Sequence, residues 1–376
     1  MREGKSCAVE VFCLTKARST PDFIIVIVTF VLLAIGVVMV YSSSAVVAAQ
    51  KGDPFFFTKR QLIFAILGIV SMFVMMNIDY WVWKKWAKTG LIICFVLLVV
   101  VLIIGKEVNG AKSWLGVGAF GIQPAEFTKL GMAVFLAKWL SDNQKKLDSF
   151  MRGLVPTLGI VCLAFGMIML QPDLGTGTVL LGTSVLMIFI AGARMRHLFG
   201  LGLLGVAGFA GLILAAPYRM KRITAFIDPW QDPLGAGYQL IQSLYAIGPG
   251  GIMGLGIGMS RQKFLYLPEP YNDFIFSILA EELGFIGGTT VLLLFLLLLW
   301  RGMRIAITAP DLFGSLLAVG IIGMVAIQVV INVGVVTGMF PVTGITLPFL
   351  SYGGSSLTLM LTGIGVLLNI SRYSRA

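Results

Sequence analysis

Asp273 stands in the run Leu267-Pro-Glu-Pro-Tyr-Asn-Asp-Phe-Ile-Phe-Ser-Ile-Leu-Ala-Glu-Glu-Leu-Gly284, where a polar, proline-stiffened stretch gives way to an apolar helix. A carboxylate at such a junction is held rigidly, stays wet on one side and can be reached by a molecule lying in lipid. That placement suits general-base chemistry on a lipid-linked substrate. A second role is open, because Asp and Asn commonly start helices by accepting a free backbone N–H. Asn272 can serve that role equally well, and Glu269, between Pro268 and Pro270, keeps the approach stiff. A helix N-terminus also weakens a carboxylate as a base, so a catalytic Asp273 requires burial or a nearby carboxylate to restore basicity.

Other polar groups recur near the ends of apolar runs. Glu126 and Lys129, in Gln123-Pro-Ala-Glu-Phe-Thr-Lys129, share one helix face at i, i+3 spacing. They read as an internal ion pair, as the polar floor of a groove, or as both. Asp173, in Gln171-Pro-Asp-Leu-Gly-Thr-Gly177, either caps the next helix or lines a site. Lys112, Arg261 and Lys263 read as outward cations that bind lipid phosphate or face water. Glu281 and Glu282 lie about 12 Å along the helix from Asp273 at its usual rise, and structural pairing is the expected role of both. The run Pro341–Ser356 breaks any helix with its prolines and glycines; Ser351, Gly353 and Ser355 in it are read as binding or shaping, since no base there would activate a serine. The Gly-x-Gly-x-Gly stretch at 254–258 reads mainly as close turns, with backbone contact to a diphosphate as the lesser alternative.

The elements that must position these groups follow from composition. The 376 residues are 58% hydrophobic and 12% charged, with mean hydropathy +0.95. The apolar runs are long enough to cross a bilayer, and helices satisfy their own backbone in lipid. The expected fold is an all-α polytopic membrane protein of about ten spans, near residues 23–43, 61–78, 89–105, 124–141, 154–171, 175–193, 198–216, 273–300, 312–338 and 356–371. The first run is a full span with no small-residue cleavage site after it, so no cleavable signal peptide is expected. Residues 1–21 form a tail, 22–371 one transmembrane domain and 372–376 a second short tail. A long extracellular loop, 217–272, joins the seventh and eighth helices, and Tyr238, Ile241, Leu244 and Tyr245 within it predict a short amphipathic helix at the interface.

Basic residues such as Lys84, Lys85, Lys138, Arg152, Arg194, Arg196, Arg301 and Arg304 cluster on one set of alternating segments, which puts both termini in the cytoplasm. The net charge of +11 is then a topology signal and an attraction to anionic lipid, and nucleic-acid binding is not expected. Four cysteines, two of them within spans, give no disulfide framework; one histidine, His197, and no Cys/His cluster make a zinc site unexpected.

Taken together, Gly110–Lys129, Gln171–Gly177, Leu267–Gly284 and Phe340–Ser356 resemble the SEDS family (shape, elongation, division and sporulation proteins: RodA, FtsW and SpoVE). The resemblance runs from about Pro21 onward. It is nearest the SpoVE/FtsW branch, through Leu267-Pro-Glu-Pro270 and the ending Leu367-Leu-Asn-Ile-Ser-Arg-Tyr-Ser-Arg375. The tail Met1–Thr20 is longer than the resemblance leads one to expect, and Asn272 stands where threonine is common. The resemblance implies a peptidoglycan glycosyltransferase that polymerises lipid II on the outer face of a bacterial cytoplasmic membrane, at a division or sporulation septum. It implies a class B penicillin-binding protein as transpeptidase partner. It carries the catalytic role to Asp273 and functional roles to Lys112, Glu126, Lys129, Asp173 and the Ser351–Ser355 stretch.

The expected reaction is an inverting transfer. Asp273 takes the proton of an acceptor sugar hydroxyl, which attacks the anomeric carbon of a donor leaving as polyprenyl diphosphate. Lys112, Arg261 or Lys263 would meet the leaving charge, with Mg²⁺ or Mn²⁺ as candidate counter-ions and no organic cofactor. Gln123, Glu126, Lys129, Asp173 and Glu269 would line the groove. A flippase for lipid II, or a non-catalytic scaffold of the division or sporulation machinery, are the alternative readings; the flippase needs polar groups near the membrane midplane.

Overall fold

The computed structural model of this protein describes residues 19–108, 111–116, 121–147, 149–214 and 217–374. The expected N-terminal tail up to Arg18, and Arg375 and Ala376 of the expected C-terminal tail, lie outside the described residues. In chain order the elements are α1 (Phe23–Gln50), α2 (Phe56–Asn77), α3 (Trp81–Ile104), β1 (Lys106–Val108), β2 (Ala111–Trp114), α4 (Pro124–Asp142), α5 (Val155–Met169), α6 (Leu174–Ile190), α7 (Met195–Leu214), α8 (Pro217–Ile227), α9 (Tyr238–Gly250), α10 (Ile275–Thr308), α11 (Leu312–Val336) and α12 (Gly354–Ser371).

The expected spans correspond to α1–α7 and α10–α12. Among the described residues, seven helices are long and apolar enough to cross a membrane. The α6 helix is apolar but only 17 residues long, while α4 carries Glu126, Lys129, Lys138 and Asp142 among its apolar residues. Asp22 starts α1 by accepting from the amides of Ile24 and Ile25, and Asp311 starts α11 by accepting from Gly314. Each such cap is worth about 1 kcal/mol. α11 and α12 are mostly buried and form the centre, whereas α2, α3 and α10 turn most of their surface outward. α2 and α12 touch closely where a Cβ on Gly365 would fall 2.4 Å from the Met72 carbonyl oxygen.

An ion pair fixes the two faces of the bundle. Arg301 in α10 binds Asp22 at the start of α1, at 2.5 Å. Arg301 lies toward the end of α10 far from Asp273, so Asp273 is on the face opposite Asp22, where Ser19 also meets Arg372. That opposite face carries the β1–β2 hairpin, α8 and α9. The expected amphipathic helix is α9, which packs one side on α10 and leaves Leu244 and Tyr245 exposed. It buries Leu240, Ile241 and Ala246, and its Ser243 hydroxyl meets Ser277 of α10 at 2.8 Å and the Val336 carbonyl at 2.7 Å.

The eighth span departs from expectation. It begins at Ile275 and is broken at Gly284, whose φ of 67° and ψ of −165° are not helical. Residues 251–256 fill the break. Phe285 and Ile286 donate to the carbonyls of Gly251 and Ile252, while Leu255 and Gly256 donate to those of Glu281 and Glu282. The backbone groups freed by the break are thereby bonded again, as depth in a membrane requires. The exchange needs two glycines, because a Cβ on Gly284 would fall 2.3 Å from the Gly254 nitrogen and one on Gly254 would fall 2.2 Å from the Glu282 oxygen. Of the two readings of the Gly254–Gly258 run, close turns are what this backbone contact requires.

Candidate active site

Four parts of the chain meet on residues 342–345, between α11 and α12. The Val342 carbonyl accepts from Nη1 of Arg222 in α8 at 2.9 Å. A Cβ on Gly175, in the first turn of α6, would fall 2.8 Å from the Thr343 oxygen. A Cβ on Gly344 would stand 3.5 Å from Oδ2 of Asp273. The Ile345 carbonyl accepts from Nδ2 of Asn332 in α11 at 2.7 Å, and the same nitrogen reaches the Asp273 carbonyl at 2.8 Å. Gly344 has φ of +76°, a conformation that suits glycine, and any side chain there would stand against the carboxylate of Asp273.

Asp273 is half-buried, so solvent still reaches it. It does not cap α10: Phe274 is the N-cap and makes no side-chain cap bond. Nor does Asn272 cap, since its Nδ2 donates to Oε2 of Glu269 at 2.9 Å. Among the described residues no donor bonds the Asp273 carboxylate. Burial pushes its pKa up to about 7; Glu269 and Asp173 add to the rise and the Arg222 guanidinium opposes it. The weakness expected of a carboxylate at a helix start is thus offset by desolvation and by neighbouring negative charge.

Asp173 caps the next helix, one of the two roles considered for it, and also binds across to Gln123. Its Oδ1 accepts from the Thr176 amide at 3.0 Å, capping α6, and its Oδ2 accepts from Nε2 of Gln123 at 2.9 Å. Burial raises its pKa; the Thr176 bond and Lys129 lower it, and Glu126 raises it further. Glu126 and Lys129 form the expected pair at 2.8 Å, both buried. The Gln123 amide donates to Oγ of Ser355 at 3.3 Å, and that hydroxyl donates to the Gly121 carbonyl. Gln123, Asp173 and Ser355 are joined by hydrogen bonds, the Glu126–Lys129 pair acts on Asp173 through its charge, and these five residues make up a wall whose Asp173 in turn acts on Asp273.

Ser351 shapes the loop. Its hydroxyl donates to the Asn272 carbonyl at 2.7 Å and accepts from the Leu347 amide. Gly353 donates to Gln61 of α2, and the Gln61 amide donates to the Ser351 carbonyl at 3.2 Å. Glu269 and Phe349 hold left-handed backbone, at φ of +47° and +64°, one on each of these adjoining segments. Such strain persists only where surrounding contacts fix it, and here it flanks the site.

The expected cations divide. Lys112 is exposed on β2, opposite Glu107 in the hairpin. Arg261 is exposed and lines a cleft of about 500 Å³ with Gln262, Phe264 and Tyr266, which shares no residue with the meeting point at 342–345. Lys263 is not an outward cation. It is buried, with Nζ 3.1 Å from Glu282, 3.2 Å from Ser42 and 2.5 Å from the Gly258 carbonyl. The loop folds back into the helix break, and a buried carboxylate captures the ammonium. Glu281 has the structural role expected of it, accepting from the Ser260 hydroxyl and the Arg261 amide.

Arg222, Asn332 and Gln61 are absent from the expected set. Asn332 had a visible signal, since an amide inside an apolar span is costly without purpose, whereas Gln61 follows Lys59 and Arg60 at the start of its helix and had little. Arg222 is one of several basic residues in α8 and had none. Among the described residues no three His, Cys, Asp or Glu side chains converge as ligands. The donor set does not fit a divalent cation held by protein alone, so no step below is routed through Mg²⁺ or Mn²⁺.

Residues 23–376 match the sequence profile of the cell cycle proteins FtsW, RodA and SpoVE. The chain is 65% identical over 365 residues to stage V sporulation protein E of Bacillus subtilis, covering 96% of this chain and 100% of that one. It is 44% identical to a probable peptidoglycan glycosyltransferase FtsW of a Geobacter species, over 94% of this chain and 97% of the other. Its fold matches a chain of a peptidoglycan synthase complex that coordinates polymerization and crosslinking, with a TM-score of 0.77, 33% identity and coverage of 94% and 98%. It also matches the rod shape determining protein RodA of Thermus thermophilus, with a TM-score of 0.70, 30% identity and coverage of 95% and 98%.

Proposed function

This chain belongs to the FtsW/RodA/SpoVE family of cell cycle proteins, and from that premise we infer how its own residues carry out glycosyl transfer. It is an integral membrane protein and a peptidoglycan glycosyltransferase. We propose that the donor is lipid II and that Asp273 is the general base. An acceptor sugar hydroxyl gives its proton to the Asp273 carboxylate, and its oxygen bonds to the donor's anomeric carbon from the face opposite the leaving group. The bond from that carbon to the diphosphate oxygen breaks, and polyprenyl diphosphate departs with the electron pair.

One observation carries the assignment: Asp273 is half-buried, its carboxylate is free of hydrogen bonds from the described residues, and burial raises its pKa to about 7. A base works best when its pKa lies near the working pH, and it must not be committed to another partner. The wall of Gln123, Glu126, Lys129, Asp173 and Ser355 would orient the sugars. We further propose that the Asp273 face is the outer face of a bacterial cytoplasmic membrane, with both termini inside, which the basic residues of the opposite face support. The partner in this reading is a class B penicillin-binding protein, and the working place is a division or sporulation septum. The deeper polar groups that a flippase would use are occupied, Glu282 by Lys263 and Ser42, and Lys129 by Glu126.

The test is glycan polymerisation from lipid II by the membrane-inserted protein with its transpeptidase partner, resolved on gels. Asp273→Asn keeps the shape and removes the base, and should slow polymerisation by about 100-fold or more. Wild-type rates from the Asn variant would end the assignment.

A further inference from the structure

We propose that Arg222 is the residue that receives the diphosphate of the donor, with Val342–Gly344 spacing its guanidinium from the Asp273 carboxylate. The proposal rests on the glycosyl-transfer reading above. A diphosphate departing beside Asp273, Glu269, Asp173 and Glu126 enters a region rich in negative charge, so a cation is needed there. The cations expected from sequence are poorly available for it. Lys263 is buried against Glu282, Lys129 is buried against Glu126, Arg261 borders a separate cleft and Lys112 sits on the β hairpin.

Arg222 meets the requirement by position. It is exposed, and one of its nitrogens is anchored at 2.9 Å to the Val342 carbonyl, two residues before the glycine that faces Asp273. Its charge also acts on the Asp273 carboxyl, against the rise that burial causes. A guanidinium has five N–H donors in a planar fork. One holds the loop in this structure, and the others are available for the paired oxygens of a diphosphate, which a fork matches better than an ammonium does. The base and the leaving-group cation then both meet one short backbone stretch, so attack and departure are aligned by Val342–Gly344.

The experiment measures binding of undecaprenyl diphosphate to the full-length protein in lipid nanodiscs, with undecaprenyl monophosphate as the comparison ligand. Arg222→Ala should weaken diphosphate binding about tenfold or more, as loss of charge-assisted bonds does, and monophosphate binding by less. Arg222→Lys should recover part of the loss. Asp273→Asn should slow polymerisation by about 100-fold or more but bind diphosphate at least as tightly as the native chain. If Arg222→Ala melts early, Arg222→Gln replaces it, keeping a donor for Val342 and removing the charge. Native diphosphate affinity in the folded charge-free variant overturns the proposal. Polymerisation by Asp273→Asn would instead overturn the reading beneath it, and leaves the binding result to be judged separately.

Discussion

The side chain of Asn332 holds the backbone of Asp273, donating to its carbonyl at 2.8 Å while the same nitrogen donates to Ile345 at 2.7 Å. One buried amide in α11 thereby ties the start of α10 to the loop that carries Gly344, the residue facing the carboxylate. Asn332 touches no reacting atom, so its role is to position. Asn332→Leu should lower kcat by about 10- to 100-fold, since small displacements of a base are costly. KM should move much less, because the wall at Gln123 and Asp173 does not depend on this bond. A variant losing KM and kcat together would speak for a general packing role.

The pH dependence follows from the Asp273 carboxyl, pushed up to about 7 mainly by burial. The ionised form is the base, so polymerisation should fall as pH drops through about 7 and reach a plateau above it. A flat profile between pH 5 and 8 in the polymerisation assay counts against the role.

The same shift has a stability consequence of opposite sense. A carboxyl raised above its ordinary value of 3.8 binds its proton more tightly when folded. Its contribution is present at low pH and is lost as pH rises toward about 7. Asp273→Asn should therefore raise the melting temperature more at pH 8 than at pH 5. Equal shifts at both would indicate that burial does not penalise the charge.

The pair Lys263–Glu282 is a case of buried charge that depends on its partner. Glu282→Ala leaves an ammonium among apolar helices and should cost about 3–5 kcal/mol. Pairing it with Lys263→Met should restore part of the loss, which thermal unfolding of the two variants in detergent would reveal.

At Gly284 a side chain meets backbone. Gly284→Ala should destabilise by about 1–3 kcal/mol from the positive φ alone, with the clash against Gly254 added to it. Gly208 in α7 has open space around its Cβ position, and Ala there should be neutral or stabilising. Melting curves of the two variants make the comparison.

The helices were legible because apolar run length alone decides whether a segment spans. Asp273, Asp173, Glu126 and Lys129 were legible because a charge beside or within an apolar run is costly unless it is paired or used. Lys263 was misread, since its fate depends on a carboxylate 19 residues later, brought near by a loop that folds into a broken helix. The break itself was hidden, because Gly284 reads as one glycine in an apolar run and its partner Gly254 lies in another segment. Arg222 was invisible for the same reason: its relation to Asp273 passes through Val342, 120 residues away in sequence. Pattern along a chain reports periodicity and composition, and it reports little about which distant segments share a backbone contact.

The zipper of Gly251–Gly256 against Glu281–Ile286 has a consequence for how such a chain can vary. Crowding between two side chains can be relieved by trimming either one, so such positions drift together. Crowding against main chain offers nothing to trim, and neither Gly254 nor Gly284 can compensate for a change in the other. Each is confined on its own account, and a search for correlated substitutions would pass over the joint that bends the helix beneath Asp273.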